Sequence, residues 1–129
     1  YLAQYDALYR RETQEKVLWV NYPKLPGNAY YHLAEEYLPD GASGVVSFGV
    51  KGGREAAMHL MNSLKLARIV VHVADARTSV LHPASTTHRQ LTDEQLAEAG
   101  IGPEFIRFSV GIENVDDIIA DLQQALDQI

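Results

Sequence analysis

The chain of 129 residues contains no cysteine, and this absence excludes several kinds of chemistry. Without thiols there is no disulfide framework, no thiol nucleophile and no thiolate site for zinc or an iron–sulfur cluster. Positive charge is also scarce, because 11 Lys and Arg stand against 17 Asp and Glu, which gives a formal net charge of −6. A general nucleic-acid-binding role needs surplus cations to replace the counterions of phosphates, so the charge balance argues against it.

Long hydrophobic runs are absent as well. No run approaches the roughly 20 apolar residues that span a bilayer, and the longest, Ile69 to Val73, is interrupted by His72. With 47% hydrophobic and 22% charged residues, the sequence is that of one soluble globular domain, and the lack of cysteine fits the cytoplasm. The chain begins with Tyr1 in helix-like sequence rather than a signal peptide, so we expect it to be a piece of a longer polypeptide.

Short apolar runs separated by turn residues predict alternating strands and helices. Strands are predicted at 17–20, 45–50, 69–73, 79–81 and 105–110, and helices at 2–14, 29–38, 54–65, 92–100 and 114–129. The run 69–73 is typical of a strand buried on both faces. Several connections are shorter than a crossover between parallel strands requires. The predicted fold class is therefore α+β, a two-layer sandwich with a small, mostly antiparallel sheet and helices on one face.

Histidines and one loop serine are the first candidates for chemistry. The five histidines are His32, His59, His72, His82 and His88. None has a metal-ligand spacing such as H-E-x-x-H, so we expect no metal site. Ser85 precedes His88 by three residues, but the G-x-S-x-G elbow of serine hydrolases is absent and hydroxyls in such loops usually bond the backbone. A structural role is predicted for this loop.

A glycine pair between a predicted strand and a predicted helix is a second candidate. Lys51-Gly52-Gly53 has the general layout of an anion site, because free N–H groups at a helix N-terminus attract phosphate. Neither of the two common glycine-rich phosphate motifs occurs here, and two glycines equally suit a tight turn. The turn is the favoured interpretation.

Arg107 is the third candidate and the most informative. In the strand at 105–110, Ile106 and Phe108 point to one face, whereas Phe105 and Arg107 point to the other. A guanidinium in such apolar surroundings needs an anionic partner, because burying it unpaired is costly. An internal carboxylate and a ligand carboxylate held bidentately are equally compatible with the residues.

Several motifs occur in a specific order from about Val17 to the C-terminus. They are V-L-W-V-N-Y-P at 17–23, G-A-S-G-V-V-S-F at 41–48, K-G-G at 51–53, D-A-R-T at 75–78, H-P-A-S-T-T-H at 82–88 and R-F-S-V-G-I-E at 107–113. This combination resembles the C-terminal domain of the Cys/Met-metabolism family of pyridoxal-phosphate enzymes, and within it the branch of O-acetylhomoserine sulfhydrylases. Residues 1–16 would be a helical lead-in from a large domain, and 17–129 the C-terminal small domain.

The resemblance implies a fold-type I enzyme whose C-terminal domain closes over pyridoxal 5′-phosphate bound by the large domain. In the family, the arginine that matches Arg107 binds the α-carboxylate of the amino-acid substrate. Thr78 and Ser79 would lie near the same carboxylate. Lyase branches tend to have an acidic residue in place of Arg77, so the substrate preference would shift away from cystathionine. No catalytic, cofactor-binding or metal-binding residue is expected in this chain.

The implied reaction is a γ-replacement in methionine biosynthesis and transsulfuration. Sulfide or a thiol would replace the acetate of O-acetyl-L-homoserine, in a homodimer or homotetramer with no nucleic-acid or membrane partner. The family's Schiff-base lysine lies in an S-x-T-K type motif of the large domain, which none of the four lysines here matches, so this chain alone should be inactive. The alternative, suggested by Lys51-Gly52-Gly53, is a stand-alone, non-catalytic ligand-binding or regulatory α+β module.

Overall fold

A computed structural model describes residues 15–72 and 75–129. Within these ranges the strands are β1 (Val17–Asn21), β2 (Val45–Val50), β3 (Arg68–Ile69), β4 (Ser79–Leu81) and β5 (Phe105–Ser109). The helices are α1 (Tyr31–Tyr37), α2 (Gly53–Ser63), α3 (Asp93–Glu98) and α4 (Val115–Leu126), with a 3₁₀ turn at Pro83–Ser85. The predicted helix at 2–14 lies outside the described residues.

The described strands form one sheet in the order β1-β2-β5-β4-β3. All neighbouring pairs are antiparallel except β3 and β4, which are parallel. β5 lies at the centre and pairs with β2 on one side and β4 on the other. The predicted α+β class with a mostly antiparallel sheet is confirmed.

One face of the sheet packs against α2 and α4 and forms the hydrophobic core. Phe48 of β2 and Ile106 and Phe108 of β5 face Leu60 of α2 and Ile118 of α4 in this core. Burial of each such side chain contributes about 1.5–3 kcal/mol. Because strand side chains alternate, the opposite face of β5 carries Arg107. We refer to this opposite face as the open face.

The prediction for residues 69–73 is wrong where the structure describes them. β3 comprises only Arg68 and Ile69, and it forms the outer edge of the described sheet. Ile69 is 46% exposed and Val71 is 55% exposed, whereas the prediction placed both in the interior. A continuous apolar run indicates burial on two faces only when a layer covers each face, and the exposure of Ile69 and Val71 shows that this edge is not covered in that way.

Asp121 is a buried carboxylate on α4 that fixes the turn between α2 and β3. Its oxygens accept hydrogen bonds from the backbone N–H groups of Lys65 at 2.8 Å, Leu66 at 2.9 Å and Ala67 at 2.9 Å. Burial alone raises the pKa of Asp121, but these bonds outweigh it and hold the pKa below the ordinary value. The charged form is therefore the one that stabilises the turn.

Replacing Asp121 with Asn should lower the free energy of unfolding by about 1–3 kcal/mol, because one of its two acceptor oxygens becomes an NH₂ donor and the negative charge is lost. The folded-state pKa is depressed, so this contribution is complete above the unfolded-state pKa and is lost as the pH falls through the folded-state pKa. Urea denaturation at neutral and acidic pH measures both effects. Asp127→Asn, an exposed change at the C-terminal cap of the same helix, is the control and should alter stability by less than about 0.5 kcal/mol. Equal losses in the two variants would contradict this role.

Candidate functional site

Arg107 occupies the middle of the open face on the central strand. Its register partners are Ser47 on β2 and Leu81 on β4, so neutral side chains flank it on both sides. The guanidinium Nε–H is buried and has no acceptor, and no described carboxylate pairs with this side chain. A buried donor without a partner costs about 1–3 kcal/mol, and more when it is charged. Of the two partners left open by the sequence, an internal acid is therefore not found within residues 15–72 and 75–129.

An aromatic pair forms the next row of the open face. Trp19 of β1 and Phe105 of β5 lie on either side of Gly49 of β2, with ring centroids 5.3 Å apart. The Trp19 ring lies over Gly49, where an added Cβ would come within 2.7 Å of the ring atom Cε2. The Trp19 Nε1–H donates to Glu104 at 3.3 Å. Sequence reasoning missed this wall, although a glycine inside a strand is itself a sign of close approach.

Thr78, which directly precedes β4, is fully buried and bonded to Glu113. Its backbone N–H donates to Oε1 of Glu113 at 2.7 Å and its hydroxyl donates to Oε2 at 2.7 Å. The same hydroxyl oxygen accepts the Gly111 N–H at 2.9 Å. Burial raises the pKa of Glu113, but the bonds from Thr78 outweigh it and hold the pKa below its ordinary value. Both donors of Thr78 are thus directed at Glu113, and its contact with a substrate stays a prediction.

Ser79 and Arg77 lie on either side of Thr78 in the chain. Ser79 is buried and pairs with Ser109, so it shares the open face with Arg107. Arg77 is exposed and binds Asp75 through Nε at 3.1 Å and Nη2 at 2.8 Å. These hydrogen bonds hold the pKa of Asp75 at about 2. The structure thus brings Ser79 to the face of Arg107 and anchors Arg77 in its own loop.

His82, which directly follows β4, is fully buried. Its hydrogen bonds fit the neutral form of the imidazole ring. Its Nε2 lies 2.7 Å from the Pro103 carbonyl oxygen, which only accepts, so Nε2 carries the proton. Its Nδ1 then accepts from the Ser85 hydroxyl at 2.8 Å. Ser85 is therefore bonded to His82, and His88 instead contacts the Thr87 hydroxyl. The predicted structural role of this loop agrees with these contacts.

Burial lowers the pKa of His82, and we expect its titration midpoint to lie below the ordinary histidine value of about 6.5. Its contribution to stability should then be complete above about pH 6.5 and be lost as the pH falls through the folded-state pKa. NMR titration of the imidazole C–H resonances measures the midpoint. A His82 midpoint at or above about 6.5 would contradict the neutral form.

The glycine pair after β2 forms a tight turn. Gly52 and Gly53 have φ values of 96° and 64°, which favour glycine over residues with a Cβ. An added Cβ at Gly52 would lie 2.8 Å from the Cβ of Ala56. These conformations account for both glycines without a phosphate. Within the described residues there is no group of three or more potential metal ligands, and no helix long and apolar enough to cross a membrane.

Comparison with known proteins identifies the family. The family model described as Cys/Met metabolism PLP-dependent enzyme matches residues 7–127. The chain belongs to this family. The match begins upstream of Val17, so it covers part of the segment in which no motif was readable. Enzymes of the family use pyridoxal 5′-phosphate.

Individual relatives carry related names. The chain is 47% identical over 113 residues to O-acetyl-L-homoserine sulfhydrylase 1 of Thermus thermophilus, covering 88% of this chain and 27% of that protein. It is 49% identical over 116 residues to homocysteine synthase of Schizosaccharomyces pombe, covering 90% and 27%. It is also 45% identical over 114 residues to L-methionine gamma-lyase of Fusobacterium nucleatum, covering 88% and 29%. The chain therefore spans about a quarter of the length of these relatives.

A solved structure has the same fold. It is a putative O-acetylhomoserine (thiol)-lyase from Campylobacter jejuni that contains N′-pyridoxyl-lysine-5′-monophosphate, and it is 40% identical with a TM-score of 0.83. The comparison covers 95% of this chain and 28% of that one. In the present chain, Lys16 donates to the Leu126 carbonyl oxygen and Lys24 to that of Pro39. The unpartnered donor of Arg107 fits an anionic group such as a carboxylate.

Proposed function

We propose that this chain is the C-terminal, substrate-closing domain of a pyridoxal-phosphate-dependent O-acetyl-L-homoserine sulfhydrylase. The reaction replaces acetate at the γ carbon with sulfide or a thiol and yields homocysteine or methionine. The observation that carries this proposal is the buried Arg107 Nε–H without an acceptor, on the face of the sheet opposite α2 and α4. The printed names of the sulfhydrylase and synthase relatives support the substrate.

In this proposal Arg107 binds the α-carboxylate of the amino acid. A guanidinium presents parallel N–H groups that match the two oxygens of a carboxylate, so it fixes the orientation as well as supplying charge. Arg107 extends from the central strand, whose other face is packed into the core, and this anchors the base of its side chain. A fixed carboxylate lowers the entropy cost of aligning the reacting bonds of the substrate.

Thr78 and Ser79 border the same site in this proposal. Ser79 shares the open face with Arg107 and supplies a hydroxyl beside the carboxylate. Thr78 lies one residue before β4, next to Arg77. Arg77 extends toward solvent at this edge, at the position where lyase branches tend to have an acidic residue. Its positive charge would therefore disfavour cystathionine as a substrate.

The remaining machinery lies outside this chain in the proposed enzyme. Pyridoxal phosphate supplies an electron sink for the bonds of a bound amino acid. The lysine that carries it belongs to the large domain, so the 129-residue chain alone does not turn over substrate. As the resemblance implies, the full-length protein is a cytoplasmic homodimer or homotetramer.

Replacing Arg107 with Ala in the full-length enzyme should lower kcat/KM for O-acetyl-L-homoserine by about 10²–10⁴-fold, mainly through KM, because the carboxylate loses a bidentate partner. Arg107→Lys keeps the charge but not the two parallel N–H donors, so its kcat/KM should lie between those of the wild type and Arg107→Ala. Steady-state kinetics with sulfide measure the effect. Arg89→Ala, which removes an exposed arginine from a turn, is the matched control and should stay near wild type. Unchanged kinetics in Arg107→Ala would overturn the proposal.

The full-length enzyme should convert O-acetyl-L-homoserine and sulfide to homocysteine faster than it breaks down methionine. This expectation separates a sulfhydrylase from a methionine lyase, since relatives with both names have similar identity to this chain. Homocysteine formation and α-keto acid release are measured in parallel assays with equal enzyme. A larger kcat/KM for methionine breakdown would refute the sulfhydrylase assignment while leaving the family unchanged.

A further inference from the structure

β4 is short. At each end of β4, a buried residue forms hydrogen bonds to residues that precede or follow β5. Its register with β5 comprises only three pairs, which are Ser79↔Ser109, Val80↔Phe108 and Leu81↔Arg107. Thr78 precedes β4 and bonds to Glu113 and Gly111, which follow β5. His82 follows β4 and bonds to Pro103, which precedes β5. Thr78 and His82 are both 0% exposed.

Four hydrogen bonds lie close together at the Thr78 end of β4. Glu113 accepts from both donors of Thr78, Gly111 donates to the Thr78 hydroxyl oxygen, and the Ile112 N–H donates to the Ala76 carbonyl oxygen at 2.9 Å. A Cβ at Gly111 would collide with Glu113 and with the backbone of Thr78 and Ala76. We call the four bonds among residues 76–78 and 111–113 the Glu113 clasp. It joins the segment of Arg77 and Thr78 to the strand of Arg107.

The Glu113 clasp affects the site because it helps to fix the register between β4 and β5. Arg107 lies opposite Leu81, and Ser109 lies opposite Ser79 on the same face. A three-pair ladder resists fraying or slippage weakly by itself, and a slip of one residue would turn Ser79 away from the open face. Glu113 forms no salt bridge with a described cation, and both of its carboxylate oxygens accept hydrogen bonds from Thr78.

We propose that Glu113 is a positioning residue of the substrate-carboxylate site, which acts through Thr78 and Gly111 to hold β4 against β5. The clasp thereby sets the separation of Ser79 and Arg107 across the open face. Thr78 serves the carboxylate site through Glu113 rather than by direct contact with the substrate. This inference rests on the proposed role of Arg107 and adds a second residue on which carboxylate recognition depends.

The test compares two inhibitors of the full-length holoenzyme that differ only in the carboxylate, norvaline and butylamine. A loosened site should lose selectivity for norvaline, whereas general destabilisation should weaken both inhibitors equally. Glu113→Ala should reduce the Ki ratio of butylamine to norvaline by about 10-fold and raise KM for O-acetyl-L-homoserine to a similar extent, with kcat changed by less than about 3-fold.

Glu98→Gln, at an exposed position on α3, is the matched control for Glu113→Gln. Glu113→Gln keeps the shape of the side chain and one acceptor oxygen, so its Ki ratio should fall between wild type and Glu113→Ala. If Glu113→Ala does not yield folded enzyme, Glu113→Gln carries the test. In the Arg107→Ala background, Glu113→Gln should cause no further loss of selectivity, because both changes act on the same interaction.

An unchanged Ki ratio in Glu113→Gln, together with a lowered melting temperature, would overturn the inference and leave the clasp a purely structural feature. A ratio that falls equally in Glu98→Gln would overturn it as well. If Arg107→Ala itself leaves the ratio unchanged, the proposed function fails instead. The two failures are therefore distinguishable in one set of variants.

Discussion

The alternation of side chains along β5 is the constraint on which both the fold and the site depend. Ile106 and Phe108 are 0% and 1% exposed in the core, and Arg107 between them must face the other way. A slip of one residue would bury the guanidinium among apolar side chains and expose the two largest core contributions of the strand. The energy that holds the core together therefore also fixes the direction of Arg107.

Local pattern was sufficient for most of the architecture. The alternation at 105–110 and the helices predicted at 92–100 and 114–129 recur in the structure at nearly the predicted positions. Each of these signals depends on residues within a few positions of one another. The prediction for 69–73 was wrong for the opposite reason. Burial of this run depends on whether another layer lies beside it, and no local pattern contains that information.

The site was predictable only in part, since its contacts are long-range. Arg107 could be recognised from the sequence because an arginine between aromatic residues is unusual in a short strand. Whether its partner is internal or external could be decided only by knowing its cross-strand neighbours, which are Ser47 and Leu81. The bonds of Glu113 to Thr78 join residues 35 positions apart. Glu113, two residues before α4, looks like an ordinary complement to the helix dipole, so the sequence offers no sign of its second role.

A carboxylate site of this kind recognises what all amino-acid substrates share. The relatives include a sulfhydrylase, a homocysteine synthase and a methionine gamma-lyase at 45–49% identity to the same segment. Differential affinity for substrates with the same α-carboxylate must come from groups that do not touch that carboxylate. Within the described residues, Arg77 on its Asp75 anchor and the Trp19–Phe105 wall are candidates for such groups. In the proposed site, Arg107 and its support would orient any amino acid, and the choice among amino acids would lie at the borders of the open face and in the rest of the polypeptide.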